Sequence, residues 1–252
     1  MRRHTPLGLI TPAAIGVAFL GIPLVAVVAK APWSDVPGLL WSADARTALR
    51  LSLECSGGAL LLSLLVGVPL AWVLARVDFP GKSALRSLIM VPLVLPPVVG
   101  GVALLLAFGR HGLLPLHIAF TTWAAIAAEA FVALPFLVLA VEGALLSLEP
   151  QYEEVAATLG HGAFATFWRV TVPLIAPALA AGSALAWARA LGEFGATVTF
   201  AGSLPGTTQT LPSDIYLELE TSPNKAIALS VVLLFVSVLV LFALRGRWRV
   251  SR

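Results

Sequence analysis

Six unbroken apolar stretches, each about as long as a bilayer is thick, decide what this chain can fold into. They lie near 7–29, 51–75, 88–107, 118–141, 172–200 and 226–244. A helix needs roughly 20 apolar residues to cross the hydrocarbon core. A transmembrane barrel would instead show strands of about ten residues with strict alternation. Helices also satisfy their own backbone hydrogen bonds, which lipid cannot do for them. The expectation is an all-α polytopic membrane protein, one transmembrane domain over residues 1–252 with six spans. Composition agrees, because 59% of residues are hydrophobic and only 12% charged, against about 45–50% and 25% in soluble domains. A mean hydropathy of +0.95 excludes disorder, a nucleic-acid-binding domain and most soluble enzymes. The single cysteine, Cys55, excludes a disulfide framework and any multi-cysteine metal site.

Orientation follows from Lys and Arg near span ends. With the N-terminus in the cytoplasm, the inside segments hold Arg2, Arg3, Arg76, Lys82, Arg86, Arg169, Arg245, Arg247, Arg249 and Arg252. The outside segments hold Lys30, Arg46, Arg50, Arg110 and Lys225, half as many. Both termini are therefore expected inside, in a multi-pass protein of the cell membrane. The first stretch has two readings. Arg2 and Arg3 resemble a signal-peptide n-region and Ala29-Lys30-Ala31 a cleavage site, but the apolar run exceeds the 7–15 residues of an h-region. An uncleaved span is expected, with a cleaved signal as the alternative.

Prolines 23, 69, 92, 96, 97, 135, 173 and 177 lie in or at the ends of spans. Each removes a backbone donor and bends its helix. Bent, Gly-rich segments such as Pro96-Pro97-Val98-Val99-Gly100-Gly101 suit either a bundle with a path through it or close packing of small residues.

The inside loop between spans four and five, 149–170, carries the most information. Pro150 suits a first helical turn, and Glu153 and Glu154 lie near the positive helix end. Gly160 is placed to end the helix in a left-handed conformation. Tyr152, Val155, Ala156 and Leu159 fall on one apolar face. Ala157 belongs to the same short helix, and an aromatic segment with Phe164, Phe167 and Trp168 follows. A helix lying on the membrane surface would carry Lys and Arg on its polar face. This one carries Glu149, Glu153 and Glu154, which argues for a protein partner over lipid.

Glu154-Val155-Ala156, three residues, Gly160, nine residues and Val170-x-Val172-Pro173 resemble the E-A-A-x3-G-x9-I-x-L-P loop of permease subunits of ATP-binding-cassette (ABC) importers. Val155, Val170 and Val172 depart from that pattern conservatively. The resemblance implies a type I importer permease core. It also implies a coupling helix, with Tyr152, Glu153, Glu154, Val155, Ala156, Ala157, Leu159, Gly160, Phe164, Phe167 and Pro173 serving the coupling to a separate cytoplasmic ATPase. Residues 189–197 and 201–212 are similar to the molybdate/tungstate permease branch, with sulfate permeases as close competitors. The resemblance covers about 50–222. It implies two copies of the chain, two ATPase subunits that use ATP and Mg, and an extracytoplasmic oxyanion-binding protein, with no cofactor held by this chain.

No nucleotide site of the chain's own is expected. Gly81-Lys82-Ser83 would need a glycine at position 76 to form a phosphate-binding loop, and that residue is Arg76. No catalytic motif is present, so no catalytic residue is assigned. His4, His111, His117 and His161 fall outside the spans or at their ends, which speaks against haem ligation. Ionisable groups within spans default to functional hypotheses. Arg189 and Glu193 share one helical face and either neutralise each other or help to pass an anion. Glu129 is either a hydrogen-bonded buried carboxyl or part of the path. Ser183, Thr197 and Thr199 supply hydroxyls, which either line the path or bond back to their own helices. The outer segment 202–223 carries Asp214, Glu218 and Glu220 without Lys or Arg. A short helix over 211–220 there would be a lip for a binding protein, or a plain connection. A proton-coupled secondary transporter using Glu129 or Glu193 is the competing mechanism, and it leaves the acidic inside helix unexplained.

Overall fold

The computed structural model describes residues 7–114 and 116–245. His4 and the orientation charges Arg2, Arg3, Arg247, Arg249 and Arg252 lie outside the described residues. Among the described residues every regular element is helical. The order is α1 (Leu7–Ala29), α2 (Val36–Leu40), α3 (Ala43–Arg76), α4 (Lys82–Val94), α5 (Pro97–Phe108), α6 (Thr122–Ser147), α7 (Gln151–Thr158), α8 (Ala163–Thr166), a π-helical turn (Phe167–Thr171), α9 (Val172–Leu191), α10 (Gly195–Phe200), α11 (Leu211–Thr221) and α12 (Pro223–Arg245).

Local chemistry sets the helix starts. Ser42 Oγ accepts from Ala45 N (3.3 Å) ahead of α3, and Thr121 Oγ1 accepts from Ala124 N (3.4 Å) ahead of α6. Each oxygen satisfies a donor that the first helical turn leaves unpaired.

Among the described residues five helices are long and apolar enough to cross a membrane, and a sixth crossing arises if α4 and α5 count as one bent span. Around the centre, α3, α6 and α9 pack against one another. Their shared core is small residues interleaved with leucines: Ala59, Ala71 and Leu74; Ala133, Leu137 and Leu145; Ala186 and Ala190. Lipid is as apolar as leucine, so such helices associate through close packing and interhelical hydrogen bonds. The bond from Trp187 Nε1 to Ser56 Oγ (2.9 Å) is one of these. At the other extreme α1 touches α12 and leaves Ile15, Val17, Phe19 and Leu20 exposed, as a lipid-facing helix should.

Two of the expected spans are not single helices. The stretch 88–107 divides into α4 and α5, inclined at 119°. The cause is Pro96-Pro97: the residue before a proline is pushed out of the helical region, and Leu95 and Pro96 have ψ of 132° and 131°. The stretch 172–200 divides at Gly192–Phe194 into α9 and α10. Glu193 Oε1 accepts from Ala196 N (2.8 Å) and so caps α10 from inside the break. The two broken elements pack together, α5 on α10.

One buried ion pair went unnoticed in the sequence. Glu142 on α6 is buried, and Arg86 Nε on α4 donates to its Oε1 at 3.0 Å. The partners are too distant in the chain to share a helical period. Glu142→Ala is expected to lower stability by about 1–2 kcal/mol, below the usual cost of breaking a buried pair, because Arg86 is 42% exposed. Thermal unfolding in detergent checks this, and a double variant with leucine at both positions should recover most of the loss.

Candidate functional site

The loop between α6 and α9 folds into α7, a glycine turn, α8 and the π turn. Pro150 precedes α7 with helical φ and ψ, and Glu153 and Glu154 occupy the first turn, where the helix dipole favours carboxylates. Gly160 ends the helix at φ +84°. Gly160 N bonds to Ala157 O (3.0 Å) and His161 N to Ala156 O (3.1 Å), so the last carbonyls of α7 are satisfied.

The apolar positions of α7 do not all point the same way. Tyr152, Val155 and Leu159 form an exposed stripe, whereas Ala156 turns inward. Position 153 lies three residues before 156 and shares the inward stripe. Glu153 Oε2 pairs with Arg76 Nε (3.0 Å), and Glu153 Oε1 accepts from Thr171 Oγ1 (2.7 Å). Glu154 and Ala157 are exposed. Leu159 and Phe164 are 74% and 79% exposed, high for large apolar side chains outside the long helices. Phe167 is half-buried against Trp168, ring centroids 5.3 Å apart. Phe164, Phe167 and Trp168 wall a cavity of about 360 Å³ with Pro69, Trp72 and Val73 of α3. Pro173 sits exposed in the first turn of α9. Beside α7, then, lies an apolar surface backed by a polar clamp. That clamp was not legible in the sequence, where Arg76 counts only as an orientation charge.

The residues within the spans divide into two sets. Arg189 Nη2 lies 2.6 Å from Glu193 Oε2. Because Glu193 Oε1 also caps α10, this carboxylate is fully engaged. Glu129 on α6 is 1% exposed, and its Oε2 has no hydrogen-bond partner among the described residues. Thr197 is likewise buried with an unpartnered hydroxyl. Thr199 Oγ1 donates back to Gly195 O (2.8 Å), and Ser183 is half-buried on α9. Arg189, at the end of α9, is the member of this set whose cationic side chain is 28% exposed.

At the far end of the chain's course, α11 begins where the Pro212-Ser213 signal places it. Ser52 Oγ of α3 accepts from Leu211 N (2.6 Å), and Lys225 Nζ donates to Glu218 Oε1 (2.6 Å). That bond is the leading cause holding the Glu218 carboxyl below its ordinary value. Burial pushes the Asp214 carboxyl up, opposed by Lys225 and reinforced by Glu218 and Asp44. A raised folded-state value means that stability falls as pH rises through the window between the ordinary and the raised value. Glu218 acts oppositely, since its contribution is present above the ordinary carboxylate value and is lost as pH falls through the depressed one. Asp214→Asn is therefore expected to raise the thermal midpoint at pH 7, the gain vanishing below the ordinary Asp range. Melting curves from pH 8 down to pH 3, below the ordinary Asp value of 3.8, read this out.

Comparison with known proteins bears on the whole chain. Residues 67–248 match the family model described as "Binding-protein-dependent transport system inner membrane component". The chain is 47% identical over 243 residues to the molybdenum transport system permease protein ModB of Mycobacterium tuberculosis, covering 94% of this chain and 92% of that protein. It is 37% identical over 240 residues to the sulfate transport system permease protein CysT of Synechococcus elongatus, covering 90% and 86%. Among solved structures, a bacterial alginate ABC transporter in complex with an alginate pentasaccharide-bound periplasmic protein aligns with a TM-score of 0.72 and 17% identity, over 97% of this chain and 93% of that one. At that identity the likeness speaks for the fold.

Proposed function

Because the chain belongs to the family of binding-protein-dependent transport system inner membrane components, we propose that it is the membrane-spanning permease of an ATP-driven molybdate/tungstate importer. Two copies form the pathway, and both termini face the cytoplasm. Two separate ATPase subunits bind ATP and Mg, and each grips one α7. An extracytoplasmic binding protein delivers the oxyanion at the α11 end. Closure of the ATPases on ATP draws the two α7 helices together and turns the bundle outward, a rigid-body two-state change. Hydrolysis resets it. Arg189 offers the arriving dianion a cation that Glu193 already balances, so passage is weakly attractive and the ion is not trapped. The observation that carries the coupling is the exposed stripe Tyr152, Val155 and Leu159 on α7, with Phe164 beside it.

Vesicle uptake with the permease, its ATPase and its binding protein tests the reading. Molybdate and tungstate should compete for ATP-dependent uptake, and Leu159→Cys should crosslink to the ATPase. Sulfate as the better competitor would favour the sulfate reading, which the 37% identity over 240 residues supports. Transport by the purified chain alone under a proton gradient would overturn the ATP-driven mechanism.

A further inference from the structure

Glu153 faces the bundle, away from the exposed stripe of α7. Its two oxygens are engaged by different elements: Oε1 accepts a hydrogen bond from Thr171 Oγ1 at 2.7 Å, and Oε2 makes an ion-pair contact with Arg76 Nε at 3.0 Å outside hydrogen-bond geometry. Arg76 is the last residue of α3, and Thr171 is the last of the π turn that feeds α9. Arg76 Nη2 also reaches Leu148 O, just past α6, at 3.4 Å. One carboxylate and one guanidinium thus tie together the ends of α3, α6, α7 and α9. The pair is sheltered, with the Arg76 and Glu153 side chains 15% and 22% exposed, so its attraction is less screened than that of a surface pair. Aside from its covalent ends, α7 is otherwise anchored by the one buried residue Ala156. A single packed methyl allows a short helix to roll about its own axis. A carboxylate held from two sides does not.

Resting on the coupling reading above, the geometry points to Glu153 as a positioning residue that makes α7 and the long helices move as one body. It is not a contact to the ATPase, and Glu154, exposed beside it, is the carboxylate free to meet a partner. Arg76 ends a 34-residue helix, a rod of about 51 Å at 1.5 Å per residue, so displacement of α7 is delivered along the full depth of the bundle. Thr171 delivers it to α9, whose other end carries Arg189. The intervening π turn, Phe167–Thr171, is the kind of local irregularity that recurs at functional sites.

The test is the number of oxyanions imported per ATP hydrolysed by the reconstituted complex. It compares the parent with Glu153→Gln, Arg76→Gln and the exchanged pair Arg76→Glu with Glu153→Arg. Coupling between sites spans about 5–150-fold, and either single variant is expected to lower the ratio about tenfold while the ATPase still co-purifies. The exchanged pair should recover part of it. Recovery is partial because the exchange loses the Thr171 bond and sets both charges against the helix dipoles. A ratio equal to the parent's, or loss of assembled complex in all three variants, overturns the assignment. Should the parent itself show no ATP-dependent uptake, the coupling reading falls as well, so the two failures are distinguishable.

Discussion

Gly160→Val is expected to cut ATP-driven uptake by about tenfold or more, on the scale of a lost coupling, while the chain still inserts in the membrane. A Cβ at position 160 would meet nothing within 4 Å, so crowding is not the reason. The reason is φ of +84°, where an L residue is disfavoured by about 1–2 kcal/mol and a β-branched one is an outlier. Relief comes by abandoning the left-handed turn, which breaks the bond from His161 N to Ala156 O and redirects Leu159, the exposed residue that caps the end of α7. The expected order of uptake is Gly160→Asn above Gly160→Ala above Gly160→Val, because Asn tolerates the left-handed region. Uptake and stimulated hydrolysis, measured together in vesicles, read this out. Parental values in the valine variant would reject α7 as the coupling element.

The second large effect is one of space. Gly101→Val places a Cβ 2.6 Å from Thr199 Cβ and 2.8 Å from Ala196 O. The second neighbour is backbone and cannot rotate aside, so α5 must separate from α10. Overpacking costs about 1–3 kcal/mol, and the valine variant should sit at or above the top of that range, seen as a lower thermal midpoint and less folded protein. Gly143→Ala is the control. Its Cβ meets nothing within 4 Å, and alanine in a helix interior gains up to about 1 kcal/mol over glycine. Its thermal midpoint should hold or rise.

The parts of this molecule written locally were legible in the sequence. Apolar runs located the long helices, and Pro150, the paired glutamates and Gly160 outlined α7. Pro212 and Ser213 marked the start of α11. The breaks within two spans were not legible, because the dips at Pro96-Pro97 and at Glu193 lie inside apolar stretches still long enough to read as one span each. The double proline announces a bend but not one of 119°. At α7 the helical period grouped Ala156 with Tyr152, Val155 and Leu159, yet period alone does not say which edge of a face turns inward. The clamp on Glu153 and the pair between Arg86 and Glu142 join residues far apart in the chain, and no local spacing encodes them.

The contact between Pro97 and position 195, where a Cβ would come within 2.8 Å of the proline ring, puts the two interruptions side by side. Peptide groups freed from helical bonding are tolerated at hydrocarbon depth only where protein shelters them or water reaches them. The seam therefore cannot be wetted by acyl chains. Its open side has to be sealed by neighbouring protein or hydrated, and a hydrated seam supplies what a small dianion requires to leave bulk solvent without losing all of its solvation shell.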